Sequence, residues 1–304
     1  MKDADAQPWQ ESEIWDCIVI GGGPAGLSAA TYLARFRRKV LVADAGDGRA
    51  LRIPQINNCP GFPDGISGRE LVARLRRQAT RYHVRFIDCP VERIERTDEG
   101  FTARCETQTF SAKRLLLATG VVDLAPELPE IERNIERRAL CLCPLCDGYE
   151  AIGKKIGVIG CTDHALREAV FLRTYSVHVS ILVNEPEDLS SAIRSEATRV
   201  GVTLLDTVDD IVSGRTGYEV MLRNGTRHEF DVIYPTLGCD VRSELAVDLG
   251  ILCDQNGHIR VGPHQQTSIE GVHAAGDVVQ SLSQIAVAFG QAATAATAIH
   301  NSLA

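Results

Sequence analysis

Short apolar runs alternate with amphipathic stretches along most of the chain. Residues 17–20 (CIVI) form an unbroken apolar run entering Gly21-Gly22-Gly23, residues 24–36 repeat apolar positions at helical spacing, and 40–43 are apolar again. Strand, glycine turn, helix and strand within about 30 residues predict a βαβ unit. GRELVARLRRQATRYHV (68–84) predicts an amphipathic helix. Residues 84–120 predict short strands between polar turns, ending in the buried strand Leu115-Leu116-Leu117. The segment 121–137 is rich in proline and charge and reads as a linker. KKIGVIGCTDHALREAVFLRTYSVHVSILVNE then repeats the strand, glycine turn, helix, strand order of the N-terminus. Strands follow in VTLLDTVDDIV, in YEVMLRNGTRHEFDVIYPTLG, with Asn224-Gly225 as a hairpin turn, and in GHIRVG. SQIAVAFGQAATAATAIHNSLA predicts a closing alanine-rich helix. The class is α/β: two doubly wound, three-layer nucleotide-binding domains.

Composition changes this picture little. At 304 residues the chain has room for two domains, and 44% hydrophobic with 24% charged residues is ordinary globular usage. A formal charge of -8 disfavours nucleic acid as the main partner, because backbone binding needs a basic face. No apolar run is long enough to span a bilayer, and the polar, acidic start MKDADAQPWQESEIW has no signal-peptide pattern, so a cytoplasmic protein is expected. In that compartment ten cysteines do not predict a disulfide framework. Cys17, Cys89, Cys105, Cys239 and Cys253 are scattered singly and read as small apolar side chains. RALCLCPLCDGYE (138–150) differs, with three cysteines in six positions. Cys143-Pro144-Leu145-Cys146 fits a redox couple, half of a metal site or a crosslink. No second C-x-x-C or H-x-x-x-H lies at useful spacing for zinc.

Gly21, Gly23 and Gly26 satisfy G-x-G-x-x-G between a strand and a helix that opens with Pro24 and Ala25. Gly21 permits the tight turn, Gly23 lets backbone approach a pyrophosphate, and Gly26 allows close helix–strand packing. The helix start offers free N–H donors to phosphate. Asp44 closes the second strand, where a carboxylate binds an adenosine ribose diol.

GGGPAGLSAA, NNCPGFPDGISGREL, LLLATG, CPLCDG and HAAGDV stand in the order and spacing of the low-molecular-weight thioredoxin reductases, and the chain resembles that family from about Asp16 to Leu303. The resemblance implies FAD, with Gly276-Asp277 as the second flavin fingerprint and Asp277 on the ribityl chain. It implies flavin contacts at Asn58, at Thr119-Gly120 and at Gln284, with Ile285 standing where the family has alanine and Ser283 where it has arginine. It implies a flavin domain (1–120 and 247–304) interrupted by an inserted NAD(P)-binding-like domain (121–246) that carries the cysteines. Cys143 would exchange with a thioredoxin-like protein or a small disulfide or dithiol, Cys146 would face the flavin, and Asp147 would be the acid/base group. A homodimer is expected on the same ground, and Cys141 is a bystander in the family pattern.

The second glycine turn departs from the family. In Gly160-Cys161-Thr162-Asp163-His164-Ala165, Thr162 replaces the glycine that lets backbone approach a pyrophosphate, and Asp163 adds negative charge beside it. Val183, Asn184 and Glu185 stand where the family carries the His-Arg-Arg cluster for the 2′-phosphate of NADPH, which makes NADPH doubtful as donor. Glu185 lies about 20 residues after Ala165, the distance for an unphosphorylated adenosine ribose, which permits NADH or a second FAD. His164 is a further candidate contact. Otherwise electrons come from a protein donor such as ferredoxin, and the chain looks closest to diflavin-linked disulfide oxidoreductases. The expected function is an FAD-dependent disulfide/dithiol oxidoreductase; the alternative is a flavin-binding redox sensor or regulator.

Overall fold

The structure is a computed structural model that describes residues 13–106, 108–124, 126, 128, 130–160, 162–183, 190–205 and 207–303. The chain forms two compact units, one of residues 1–51, 68–122 and 240–304, the other of 52–67 and 123–239.

In the first unit, Arg85–Ile87, Val40–Ala43, Ile14–Ile20 and Gln108–Leu117 pair in that order, all parallel. Gln108–Leu117 uses its other edge twice. Residues 108–112 pair antiparallel with Gly100–Cys105, and residues 115–117 pair parallel with Val272–Ala274. Arg93–Thr97 completes the sheet against Gly100–Cys105. The central strands read as continuous apolar runs because they are covered on both faces, and Cys17, Ile18, Val19, Leu115 and Leu116 have no exposed surface. On one face the helix Pro24–Arg35 and the C-terminal helix Ile285–Asn301 share a core through Ala25, Ala29, Ala30, Ala288, Ala292 and Ala296. Such small side chains let helices approach closely. The other face buries Ile18, Leu41, Leu115 and Leu117 with Phe101, Ile259 and Val278.

In the second unit, Thr203–Leu205, Val179–Leu182, Ile156–Ile159 and Val232–Pro235 form a parallel sheet in that order. The helices Asp163–Leu172 and Ser191–Arg199 supply its core partners Ala165, Leu166, Ala169, Ile193 and Ala197. Ser190 caps the second of these helices, its hydroxyl accepting from the N–H of Ile193 at 3.2 Å. Val208–Ser213, Tyr218–Leu222 and Arg227–Phe230 make a separate antiparallel sheet, with Gly225 in the left-handed conformation at the hairpin turn.

Two sequence expectations are corrected. The segment read as a linker contains the strand Val121–Asp123 and the helix Ile131–Glu136. The helix is short and charged, yet Ile131 and Ile135 at i and i+4 enter the core with Leu140, Ile211 and Tyr218. GHIRVG makes no strand and contributes isolated bridges from Ile259 to Cys253 and Val279. No helix among the described residues is long and apolar enough to cross a membrane.

The glycine turn is tightly specified at Gly26, where an added Cβ would overlap the carbonyl oxygen of Gly21. Replacing Gly26 with alanine is therefore expected to destabilise the protein by about 1–3 kcal/mol, read as a lower denaturation midpoint. In the ligand-free protein the same change at Gly23, where a Cβ meets nothing within 4 Å, should leave that midpoint almost unmoved.

Candidate active site

The cysteine segment is tied to the second unit's parallel sheet by its backbone. Cys141 N–H donates to Ile233 O at 2.9 Å, and Ile233 N–H donates to Ala139 O at 2.8 Å. Cys143 then serves as N-cap of the single turn Pro144–Asp147, with proline at the first position, where its missing N–H is not needed. The N–H groups of Cys146 and Asp147 both donate to Cys143 O, at 3.0 and 3.2 Å. One helical turn brings positions i and i+3 to the same face. Cys143 and Cys146 form a disulfide there, their Cα atoms 5.3 Å apart. The next residue but one must be glycine, since a Cβ at Gly148 would crowd the Tyr175 ring and Pro144 O.

Asp147 ends this turn. Burial pushes its carboxyl up to about 6, Glu150 adds to the rise, and Arg138 and the Cys141 thiol oppose it. Burial, reinforced by the negative charge of Asp147, pushes the Cys141 thiol up to about 12. Cys141 is thus held as a neutral thiol near pH 7, unsuited to nucleophilic attack. Asp147 by contrast titrates near neutrality, the range a proton donor and acceptor needs.

The first unit supplies a different arrangement. Gly21 has φ +109° and lies against the Ala118 carbonyl. Asp44 accepts from the N–H of Gly22 at 3.0 Å, which leaves no room for a side chain at residue 22. The helix Pro24–Arg35 has no side-chain cap and no acidic residue in its first turn. Space remains open at Gly23 and at Gly120, the latter with φ +71°. The Thr119 hydroxyl donates to Arg242 O at 2.6 Å, so its side chain is engaged within the protein. Gly276 has φ +86° and its N–H donates to Gln291 Oε1 at 2.8 Å. Asp277 pairs with Arg49 at 2.9 Å. Gln284 occupies the N-cap position of the C-terminal helix without a side-chain capping hydrogen bond, and Ile285 is the first helical residue. The sequence-predicted residues Gly21, Gly23, Pro24, Ala25, Gly26, Asp44, Thr119, Gly120, Gly276, Asp277, Gln284 and Ile285 all belong to this unit; Asn58 lies in the segment 52–67 of the other.

The family model for pyridine nucleotide-disulphide oxidoreductases matches residues 15–292. The chain belongs to this family. It is 32% identical over 303 residues to the bifunctional thioredoxin reductase/thioredoxin of Mycobacterium leprae, covering 95% of this chain and 66% of that protein. It is 31% identical to the thioredoxin reductase of Mycolicibacterium smegmatis, covering 88% and 89%. It spans about half (54%) of NADPH-dependent thioredoxin reductase 3 from Arabidopsis thaliana, at 29% identity. The crystal structure of thioredoxin reductase from Streptococcus pyogenes superposes with a TM-score of 0.88 at 28% identity, covering 95% of this chain and 98% of that one. Membership of the family implies FAD. The uncapped helix start, the open space at Gly23 and the Asp44 carboxylate fit a dinucleotide there.

The second glycine turn keeps the family framework with altered chemistry. Gly160, at φ +154°, closes against Thr236 and Ala165. Thr162 is the N-cap, in extended conformation, and its side chain makes no cap hydrogen bond. Asp163 lies in the first helical turn, where its charge suits the positive helix end and opposes a phosphate. His164 Nε2 stands 3.3 Å from Glu168 Oε1. Burial lowers the histidine pKa and raises that of the glutamate to about 7. Val183 is buried, while Asn184 and Glu185 lie outside the described residues.

Sequence reasoning missed Arg49, Glu150 and Glu168. Arg49 meets Asp277 across 228 positions, a separation that leaves no local pattern. Glu168 follows His164 at i+4 on a predicted helix, so that spacing was available.

Asp147 gives a sign-specific prediction. With its carboxyl raised from 3.8 to about 6, the folded state holds the proton more tightly than the unfolded state between those values. Its stabilising contribution is complete below about pH 4 and lost as pH rises through about 6, a change of order 2–3 kcal/mol. Asp147→Asn should therefore raise unfolding stability by about 1–3 kcal/mol at pH 8. That gain should vanish towards pH 4 in denaturant titrations at the two pH values.

Proposed function

We propose that this chain is an FAD-dependent disulfide/dithiol oxidoreductase of the thioredoxin-reductase type that is not driven by NADPH. The observation carrying the proposal is the Cys143–Cys146 disulfide with a buried, near-neutral carboxyl on the adjoining residue. On this reading the first unit is the flavin domain and the second is the inserted domain. Gly21, Gly23, Pro24, Ala25, Gly26, Asp44, Thr119, Gly120, Gly276, Asp277, Gln284 and Ile285 hold the dinucleotide, with Asn58 a further contact. FAD, when bound, supplies the two-electron chemistry that reduces or reoxidises the cysteine pair.

The chain's own residues perform the thiol exchange. In the reducing direction, Cys143 attacks a substrate disulfide as thiolate and forms a mixed disulfide, expelling one substrate thiolate. Cys146 then attacks the Cys143 sulphur, restoring the protein disulfide and releasing the second substrate sulphur. The substrate gains two electrons and the pair loses two. Asp147 gives a proton to the first departing thiolate, the proton that Cys146 sheds as it attacks goes to the second, and Asp147 is reprotonated before the next exchange. Run backwards, the same steps oxidise a dithiol. The partner is a thioredoxin-like protein or a small disulfide or dithiol, and the working form is a homodimer.

The doubt over NADPH rests on Thr162 and Asp163 at the second glycine turn. A carboxylate stands where a phosphate would approach, and arginines are missing from residues 183–185. NADH, a second FAD at that turn with Gly160, His164 and Glu185, or ferredoxin as a protein donor are the remaining sources. The same altered turn favours a second reading, a flavin-binding sensor that is reduced once and stops.

Anaerobic titration of the purified holoprotein with NADPH, NADH and reduced ferredoxin, following loss of the oxidised-flavin absorbance, tests the reading. Slow or absent bleaching by NADPH is expected, and rapid bleaching contradicts it. The ratio of flavin to polypeptide tests the second FAD: two per chain supports it and one excludes it. Repeated turnover with dithiol or thioredoxin substrates is expected, whereas a single reduction favours the sensor.

A further inference from the structure

Asp147 lines a small cavity inside the second unit, with a volume of about 30 Å³, together with Arg138, Cys141, Glu150, Lys154 and Tyr234. Three polar atoms of that lining, Arg138 Nη2, Glu150 Oε2 and Tyr234 Oη, are buried without a well-formed hydrogen bond in the protein, Tyr234 Oη having only the weak Cys141 thiol beside it. Tyr234 is 1% exposed and sits on the strand Val232–Pro235, beside the residue that pins Cys141. Glu150 has its other oxygen fixed by Asn57 Nδ2 at 2.7 Å, which leaves Oε2 as its uncommitted acceptor. Arg138 is held in the left-handed conformation, φ +59°, just past the end of the helix Ile131–Glu136. A non-glycine residue adopts that conformation only when its surroundings enforce it.

Buried polar groups are nearly always satisfied by protein or by ordered water. A cavity of this size holds a single water, which needs two to four polar partners. Those three atoms offer one cationic donor, one carboxylate acceptor and one hydroxyl that can serve as either. The chemistry suits a water better than an ion, because the arginine and glutamate charges oppose each other.

We propose that the cavity beside Asp147 is a binding site for one water molecule, held by Arg138, Glu150 and Tyr234, through which Asp147 exchanges its proton. Tyr234 is the positioning residue of this site. The role assigned to the water rests on the proposed dithiol chemistry, while the site itself does not. In each cycle Asp147 loses one proton to the departing thiolate, and the water donates one to the Asp147 carboxylate. The water then regains a proton from solvent at the half-buried Glu150 edge of the cavity, and the site ends as it began. No oxidant enters and no sulphur bond changes beyond those of the exchange. Cys141 borders the cavity as a neutral thiol, its Sγ 3.8 Å from Arg138 O and its S–H also within reach of Asp147. Lys154 supplies positive charge at its margin.

Two measurements on the full-length flavin-loaded protein decide the proposal. A high-resolution crystal structure should show an ordered solvent atom about 2.6–3.2 Å from the three orphan atoms. Their pairing with other protein groups, or a dry cavity, overturns the proposal. The ¹³C carboxyl titration of Asp147, assigned through Asp147→Asn and followed in the resting oxidised protein, gives the second readout. Tyr234→Phe removes one anchor of the water and keeps the ring. The Asp147 midpoint should then rise by about half a pH unit or more, since the carboxylate loses a donor. An unmoved midpoint in a folded Tyr234→Phe protein overturns the positioning role. If that variant does not fold, the crystallographic arm on the unsubstituted protein still decides. Absence of dithiol exchange in the unsubstituted enzyme would count against the proposed function, and both arms would still judge the water site.

Discussion

The proposed chemistry hangs on a carboxyl group buried one residue beyond a disulfide. A carboxylate taken out of water is disfavoured unless hydrogen bonds or cations replace its solvation. At Asp147 that replacement is partial, because Arg138 opposes the rise while Glu150 adds to it. The result is a group near neutrality rather than a permanent anion. The fold maintains it by fastening residues 139–141 to the strand Val232–Pro235 and by closing a single helical turn from Cys143 to Asp147.

Both units use the strand–glycine–helix framework, and they differ in the charge placed at the helix start. Pro24–Arg35 begins with proline and small residues and has no acid in its first turn. Asp163–Leu172 begins with an acid. Helix starts attract anions, so the first is ready for a phosphate, while the second already has a carboxylate at its positive end. Shared architecture therefore says little about shared ligands, and function has to be read from the residues at each turn.

Much of this was legible in the sequence because the signals are local. The helix from Pro24, the strand Val40–Ala43 and the C-terminal helix follow from periodicity, and the glycine turn from its three spacings. The misses have physical causes. Ile131–Glu136 is a short charged helix held by two isoleucines in a core built from distant strands, so nothing local separates it from a linker. GHIRVG has strand-like composition but forms only isolated bridges. At the site, C-x-x-C and the following aspartate could be read directly. The Arg49–Asp277 pair, the Asn57–Glu150 hydrogen bond and the approach of Tyr234 to Asp147 join positions far apart in the chain. Cys141 illustrates the limit: the family pattern leaves it a bystander, and its burial supplies the physical reason that its thiol is unreactive.

The central claim is that Cys143 carries the exchange and Cys146 resolves it, and trapping tests this most directly. Cys146→Ser protein, reacted with an activated aromatic disulfide and then with a reduced thioredoxin-like protein whose own resolving cysteine is replaced by serine, should retain a stable mixed disulfide that peptide mass spectrometry places on Cys143. Mixed disulfide on any other cysteine, or trapping by Cys143→Ser as efficient as by Cys146→Ser, would contradict the account.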